Sequence, residues 1–178
     1  MDNVFLGKGA HSQFKWENIG DIKAGRKNLG EEMPVVVYRL MQYTLLDALT
    51  KDYGLEKANS YFRKAGELAG REFAKNTLDL KQGLDDFVSQ LQRVLKELKI
   101  GILRFEIFDA KTGDFVLTVG EDLDCSGLPV TGENVCTYDE GFIAGILKAY
   151  TGKDYDVREI DCWASGDRVC RFKGNVVK

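Results

Sequence analysis

Histidine is all but missing: His11 is the single one in 178 residues. Imidazole-based acid–base relays and nucleophile triads therefore have almost no material to work with. No apolar run reaches the 18 or more residues of a spanning helix, so a transmembrane segment is excluded. The start, Met1 to Lys8, lacks a basic stretch followed by an apolar one, which argues against secretion and for the cytoplasm. Excess positive charge is missing too. Twenty-five Lys and Arg face 28 Asp and Glu, a formal charge of −3 with a pI near 5.3, so neither nucleic acid nor an acidic membrane surface is an expected partner. What is present is ordinary for one globular domain: 44% hydrophobic and 30% charged residues, in a length that buries roughly 70% of the unfolded surface. The four cysteines, Cys125, Cys136, Cys162 and Cys170, all fall in the last third of the chain. In a chain with no secretory features, that clustering points to a metal or redox site.

Residues 1–30 read as an N-terminal arm and residues 31–178 as a single domain. The arm is glycine-rich, with one short strand expected around Phe14–Trp16. Glu31-Glu32-Met33-Pro34 carries helix-start chemistry. Val36, Leu40, Tyr43, Leu46 and Leu49 then fall at intervals of three and four, one broad face of a helix that Tyr53-Gly54 closes. A second helix spans 55–77; its stripe of Ala58, Ala65, Gly66, Ala69 and Gly70 lets another element approach the backbone closely. A third, 84–98, turns Phe87, Leu91 and Leu95 inward. The period then drops to two. Ile100 and Ile102, then Phe105 and Ile107 after a shift of phase, alternate toward a turn at 109–114 and a return strand, 115–119. A loop at 121–136, a helix at 138–150 closed by Thr151-Gly152, and a second hairpin about Gly166 complete the chain. Helices grouped before antiparallel strands make the expected class α+β, a helical bundle packed on an antiparallel sheet. No repeat, linker or low-complexity segment interrupts it.

Most candidate chemistry reduces to ordinary structure. Gly25-Arg-Lys-Asn-Leu-Gly30 has the glycine spacing of a phosphate-binding loop, but Glu31-Glu32 stands where its lysine and magnesium ligand belong. The carboxylate pairs Glu31-Glu32, Asp85-Asp86 and Glu121-Asp122 read as helix-start charges and solvated faces. The cysteines do not reduce so easily. Cys162 and Cys170 lie four residues either side of Gly166, so a hairpin centred there sets them opposite each other at roughly 4.5–5.5 Å. A metal site, a disulfide and inert buried thiols are all compatible with that spacing. A tetrahedral zinc site would draw its remaining ligands from Cys125, Cys136 or Glu159.

Two stretches carry a resemblance: Cys136-Thr-Tyr-Asp-Glu-Gly-Phe-Ile-Ala-Gly, and Val157-Arg-Glu-Ile-Asp-Cys-Trp-Ala-Ser-Gly-Asp-Arg-Val-Cys-Arg-Phe172. The second, with its Glu-x-x-Cys, Gly-Asp turn and Cys-x-Phe ending, resembles the V4R (4-vinyl reductase) domain family. The resemblance covers about residues 25–175. It implies a Bet3/V4R-like ligand-binding fold, often dimeric, and a zinc held by three cysteines and a glutamate beside a ligand pocket. Carried onto this chain, the metal ligands are Cys136, Glu159, Cys162 and Cys170. Plain alternation puts Glu159 and Cys162 on opposite strand faces, so this set requires a bulge or strand end between them, and Cys125 is the substitute fourth ligand. Four ligands close the site, making the zinc structural. Phe87 and Phe115 fall near the positions that hold a phenolic ligand in the family's aromatic-sensing regulators, and Phe105 lies beside them. With phenylalanines there and no histidine at hand, an apolar, hydrocarbon-like ligand is expected instead.

The expected function is a stand-alone, zinc-stabilised sensor or binding domain, dimeric and signalling through a protein partner. One alternative is a 4-vinyl reductase, or an accessory to one, in tetrapyrrole metabolism. Against it, no nucleotide-binding loop and no acid–base pair stand out. A tether-like scaffold is the other alternative, on fold analogy alone.

Overall fold

The computed structural model describes residues 14–109 and 111–177; His11 and the first part of the arm lie outside them. Where the sequence suggests a strand at Phe14–Trp16, the chain instead makes a 3-10 turn, Trp16–Ile19. Asn18 causes the difference: its side chain accepts from the Lys15 amide at 2.7 Å, while its own amide donates to the Lys15 carbonyl at 2.9 Å. A single turn, α1 (Ile22–Gly25), follows, capped by Asp21. The long helices are α2 (Val35–Tyr53), α3 (Leu55–Thr77) and α4 (Leu84–Glu97). Strands β1 (Ile102–Phe108) and β2 (Phe115–Gly120) lead to α5 (Thr137–Thr151), then β3 (Tyr155–Asp161) and β4 (Cys170–Val176).

The four strands form one antiparallel sheet in the order β1-β2-β4-β3. The phase shift read between Ile102 and Phe105 is a bulge, located between Phe105 and Ile107. A second bulge interrupts β3 between Glu159 and Asp161. It falls between Glu159 and Cys162, where the alternation of side chains demanded a break. The core lies between the sheet and helices α3, α4 and α5. Phe87, Phe115, Leu117 and Phe172 are almost completely enclosed there, each stabilising the fold by about 1.5–3 kcal/mol relative to exposure.

The small-residue stripe on α3 finds its partner in α5, which answers with glycines of its own. A Cβ built on Gly66 or Gly70 would overlap the α5 backbone, and one on Gly141 or Gly145 would overlap the α3 backbone. The two helices therefore pack main chain against main chain.

Helix α2 departs from expectation. Its apolar spacing reads as a buried face, yet Gln42 is its one buried residue. Val36, Leu40 and Met41 are each 61% exposed. The C-terminal part of the face, Tyr43, Leu46 and Leu49, is half-buried where α2 packs on α3. Polar side chains tie α2 to the loop after β2, and the hydrocarbon at Val36, Leu40 and Met41 is left uncovered.

Candidate metal centre and adjoining cavity

Four segments converge on one point. Cys125 sits in the loop after β2, in a turn closed by Asp122, whose Oδ1 accepts from the amides of Asp124 at 2.8 Å and Cys125 at 3.2 Å. Helix α2 clamps this loop. Tyr38 donates to Asp124 Oδ1 at 2.8 Å and Gln42 to Oδ2 at 2.7 Å, while Tyr43 donates to the Asp124 carbonyl at 3.0 Å. Arg39 donates to the carbonyls of Leu123 and Ser126 at 2.8 and 2.9 Å. Cys136 is the residue before α5. Cys162 follows β3, in a turn that Ser165 fastens by accepting from the Cys162 amide and donating to its carbonyl. Cys170 opens β4, paired with Val119 of β2.

All four cysteines are buried and free, and their sulfurs lie within 4.8 Å of one another. Cys136 Sγ stands 3.9 Å from Cys162 Sγ and 3.8 Å from Cys170 Sγ. A tetrahedron of sulfurs around zinc at about 2.3 Å has edges of about 3.8 Å, so these separations fit the ion. Cys125 and Cys170 are closer, at 3.0 Å, but far from the roughly 2.05 Å of a disulfide. The four residues can thus hold a metal ion, and a soft dication suits an all-sulfur set. Their acidity is split. Contacts with Cys125, Cys136 and Cys170 pull the Cys162 thiol below the ordinary range. Contacts led by Cys125 push Cys136 and Cys170 above it. Thiolates gathered this closely repel one another unless a cation lies between them.

Glu159 approaches the same place in another way. Its Oε2 accepts from the Cys136 amide at 3.0 Å, and its Oε1 is buried without a hydrogen-bond partner. Its amide donates to Glu140 at 2.9 Å, itself ion-paired with Arg63. Burial raises the Glu159 carboxyl to about 8. The compact sulfur group therefore brings Cys125 together with Cys136, Cys162 and Cys170, while Glu159 orients the backbone beneath Cys136.

Near the sulfurs lies a narrow apolar cleft with a cavity volume of about 30 Å³. Leu91 and Leu95 of α4, Leu103 and Phe105 of β1, Leu117 of β2 and Ile146 of α5 line it. Of the three phenylalanines singled out in the sequence, Phe105 reaches this cleft. Phe87 is stacked on Tyr150 with ring centroids 3.8 Å apart, and Phe115 is packed in the sheet core against Phe105 and Tyr155.

Two acidic residues also line it, Asp122 and Asp139. Glu121-Asp122 reads as a solvated pair, yet Asp122 is 4% exposed. Burial and Asp124 raise its carboxyl to about 7. Burial, then Asp124 and Asp122, push Asp139 well above its ordinary value. The available signal was Asp-x-Asp-Cys at 122–125, two carboxyls spaced to bend the chain around a buried thiol.

Among known proteins, an uncharacterized protein of Methanocaldococcus jannaschii, MJ1642, is 28% identical over 153 residues, covering 85% of this chain and 83% of that one. The phenol-responsive sensory domain of the transcription activator PoxR, solved with phenol, superposes with a TM-score of 0.63 at 16% identity, covering 83% of this chain and 76% of that one. A vinyl-4-reductase family protein from M. jannaschii gives 0.62 at 16% identity, with 93% and 98% covered. Subunit 3 of a trafficking protein particle complex from Naegleria fowleri, covalently bound to palmitic acid, gives 0.63 at 12% identity, with 81% and 95% covered. The α+β fold is thus the Bet3/V4R-like one. The sequence model of the V4R domain matches residues 115–175, the stretch that supplies all four cysteines and β2 to β4, so this part of the chain is similar to a V4R domain.

Proposed function

We propose that residues 31–178 form a zinc-stabilised domain that binds a small apolar molecule in the cleft beside the cysteines and acts as a sensor, following an N-terminal arm at 1–30. The observation that carries this reading is the closed group of four buried sulfurs, with a small apolar cleft nearby whose lining residues Asp122 and Asp139 lie close to Cys136. Four ligands leave no open position, so the zinc is structural; such sites contribute about 10–16 kcal/mol of apparent binding energy at neutral pH. Small-ligand binding is also what the PoxR sensory domain does with phenol. Here Leu and Phe walls take an apolar body instead. The uncovered apolar face of α2 supports a homodimer, from which a signal passes to a protein partner in the cytoplasm.

Between the two candidate fourth ligands, the sulfur distances favour Cys125 over Glu159. Elemental analysis of purified protein should give about one zinc per chain. Cys125→Ser should abolish stoichiometric zinc and unfold the C-terminal hairpin, whereas Glu159→Gln should keep the metal. Metal-free, fully folded protein would sink the zinc reading. The reverse pattern in the two variants would restore Glu159 as the ligand. Native mass spectrometry of protein from its own source should retain the apolar molecule; turnover of a vinyl tetrapyrrole with reduced nicotinamide would make the chain a reductase instead.

A further inference from the structure

A roomier cavity, of about 210 Å³, lies between α2 and α3. Tyr38, Gln42 and Leu45 of α2, Tyr61 and Phe62 of α3 and Tyr138 of α5 line it, and none of these lines the cleft near the cysteines. The α2 residues recur at intervals of four and three, on one helix face. Across from them α3 contributes Ala65, which fills little space. Four of the walls are aromatic rings, and among the described residues no charged side chain lines the cavity. Such walls favour a neutral, flat ring, which packs offset or edge-on against aromatic faces. The size agrees, since a dry apolar cavity of about 150 Å³ already admits a benzene ring. One polar group here is unspent. Gln42 is 7% exposed, and its Nε2 donates to Asp124 Oδ2 at 2.7 Å, which fixes the amide and leaves Oε1 as the free acceptor. That oxygen is buried with no hydrogen-bond partner. The Tyr38 hydroxyl, one turn earlier, also donates to Asp124. What α2 offers the cavity is therefore an acceptor in need of a donor, and a donating ligand recovers the free energy that an unpaired buried acceptor costs.

We propose that this cavity binds a neutral aromatic molecule of one or two fused rings bearing an N–H, with the ring among Tyr38, Tyr61, Phe62 and Tyr138 and the N–H donated to Gln42 Oε1. The site is separate from the cleft near the cysteines and goes beyond the reading above. A ring N–H of the indole kind brings one donor and no acceptor, so burying it against Gln42 leaves neither partner unpaired. A carboxylate ligand would meet no cation here.

Indole and indene decide the matter, because they share size and shape and differ by the N–H. Titrated calorimetrically into metal-replete protein, indole should bind about tenfold more tightly than indene. Ala65→Trp, a change at an exposed position on the cavity wall, should abolish indole binding with the helical spectrum and metal content unchanged. Gln42→Leu should weaken indole about tenfold and leave indene within about twofold. If Gln42→Leu does not fold, the ranking of the two probes on the unaltered protein and the Ala65→Trp variant carry the test. Equal or tighter binding of indene overturns the proposal, as does indole binding that Ala65→Trp or Gln42→Leu leaves unchanged. Silence from both probes overturns it too; if Ala65→Trp then also turns a dimer into a monomer in sedimentation, the cavity belongs to a second copy of the chain. None of these outcomes bears on the zinc reading, which elemental analysis tests by itself.

Discussion

Asp124 joins α2 to the loop of Cys125 through both carboxylate oxygens and its carbonyl. Replacing Tyr38 by Phe keeps the ring and leaves Oδ1 short of its donor, so chemical denaturation should show a loss of about 1–3 kcal/mol. The same tyrosine sets a pH dependence. Burial and Asp124 hold its hydroxyl above the usual tyrosine range, so the native state keeps a proton that the unfolded chain loses near pH 10. Stability should therefore fall as pH rises past about 10, and Tyr38→Phe should flatten that fall. Single residues were unevenly legible in the sequence. The cysteines were plain because four thiols gathered in one third of a chain invite a common explanation. Asp139 was not: an aspartate in the first turn of a helix reads as a charge complementing the helix dipole, and only the packing of α5 turns it toward the cleft.

Among the elements, the α3–α5 contact is the least forgiving. Each of its glycines meets backbone atoms of the other helix, which cannot swing aside as a side chain tip can. Gly66→Ala or Gly141→Ala should destabilise the protein by about 1–3 kcal/mol or more, although alanine favours an isolated helix by about 1 kcal/mol over glycine. A circular-dichroism melt of each variant checks the sign. The stripe on α3 announced a close neighbour, and its helix bounds followed from periodicity. Which element would fill it was beyond reach, because α5 lies some seventy residues on and its glycines read equally well as breaks. Helix α2 misled for the opposite reason. Apolar period shows that a face wants cover, not that the same chain supplies it.

For the whole molecule, that exposed face sets an expectation about size in solution. Val36, Leu40 and Met41 stand on one exposed helix, and the proposed homodimer would cover them. Sedimentation should give twice the 20.0 kDa chain mass, and Leu40→Asp should shift it toward the monomer with the helical spectrum intact. A monomeric unaltered protein would sink the dimer.

The cysteine cluster also ties the chain into a particular order of events. Its members are 11, 26 and 8 residues apart in sequence, from Cys125 to Cys136 to Cys162 to Cys170, so bringing them together closes three consecutive loops. Loop closure loses chain entropy that grows only slowly with length, by about 0.6 kcal/mol per doubling. The loss therefore comes from there being three closures rather than from the length of any one. None of them is rewarded until β2, α5 and the final hairpin are all present. The second half of the chain should accordingly assemble late and in a single step, with a refolding rate that rises with available zinc.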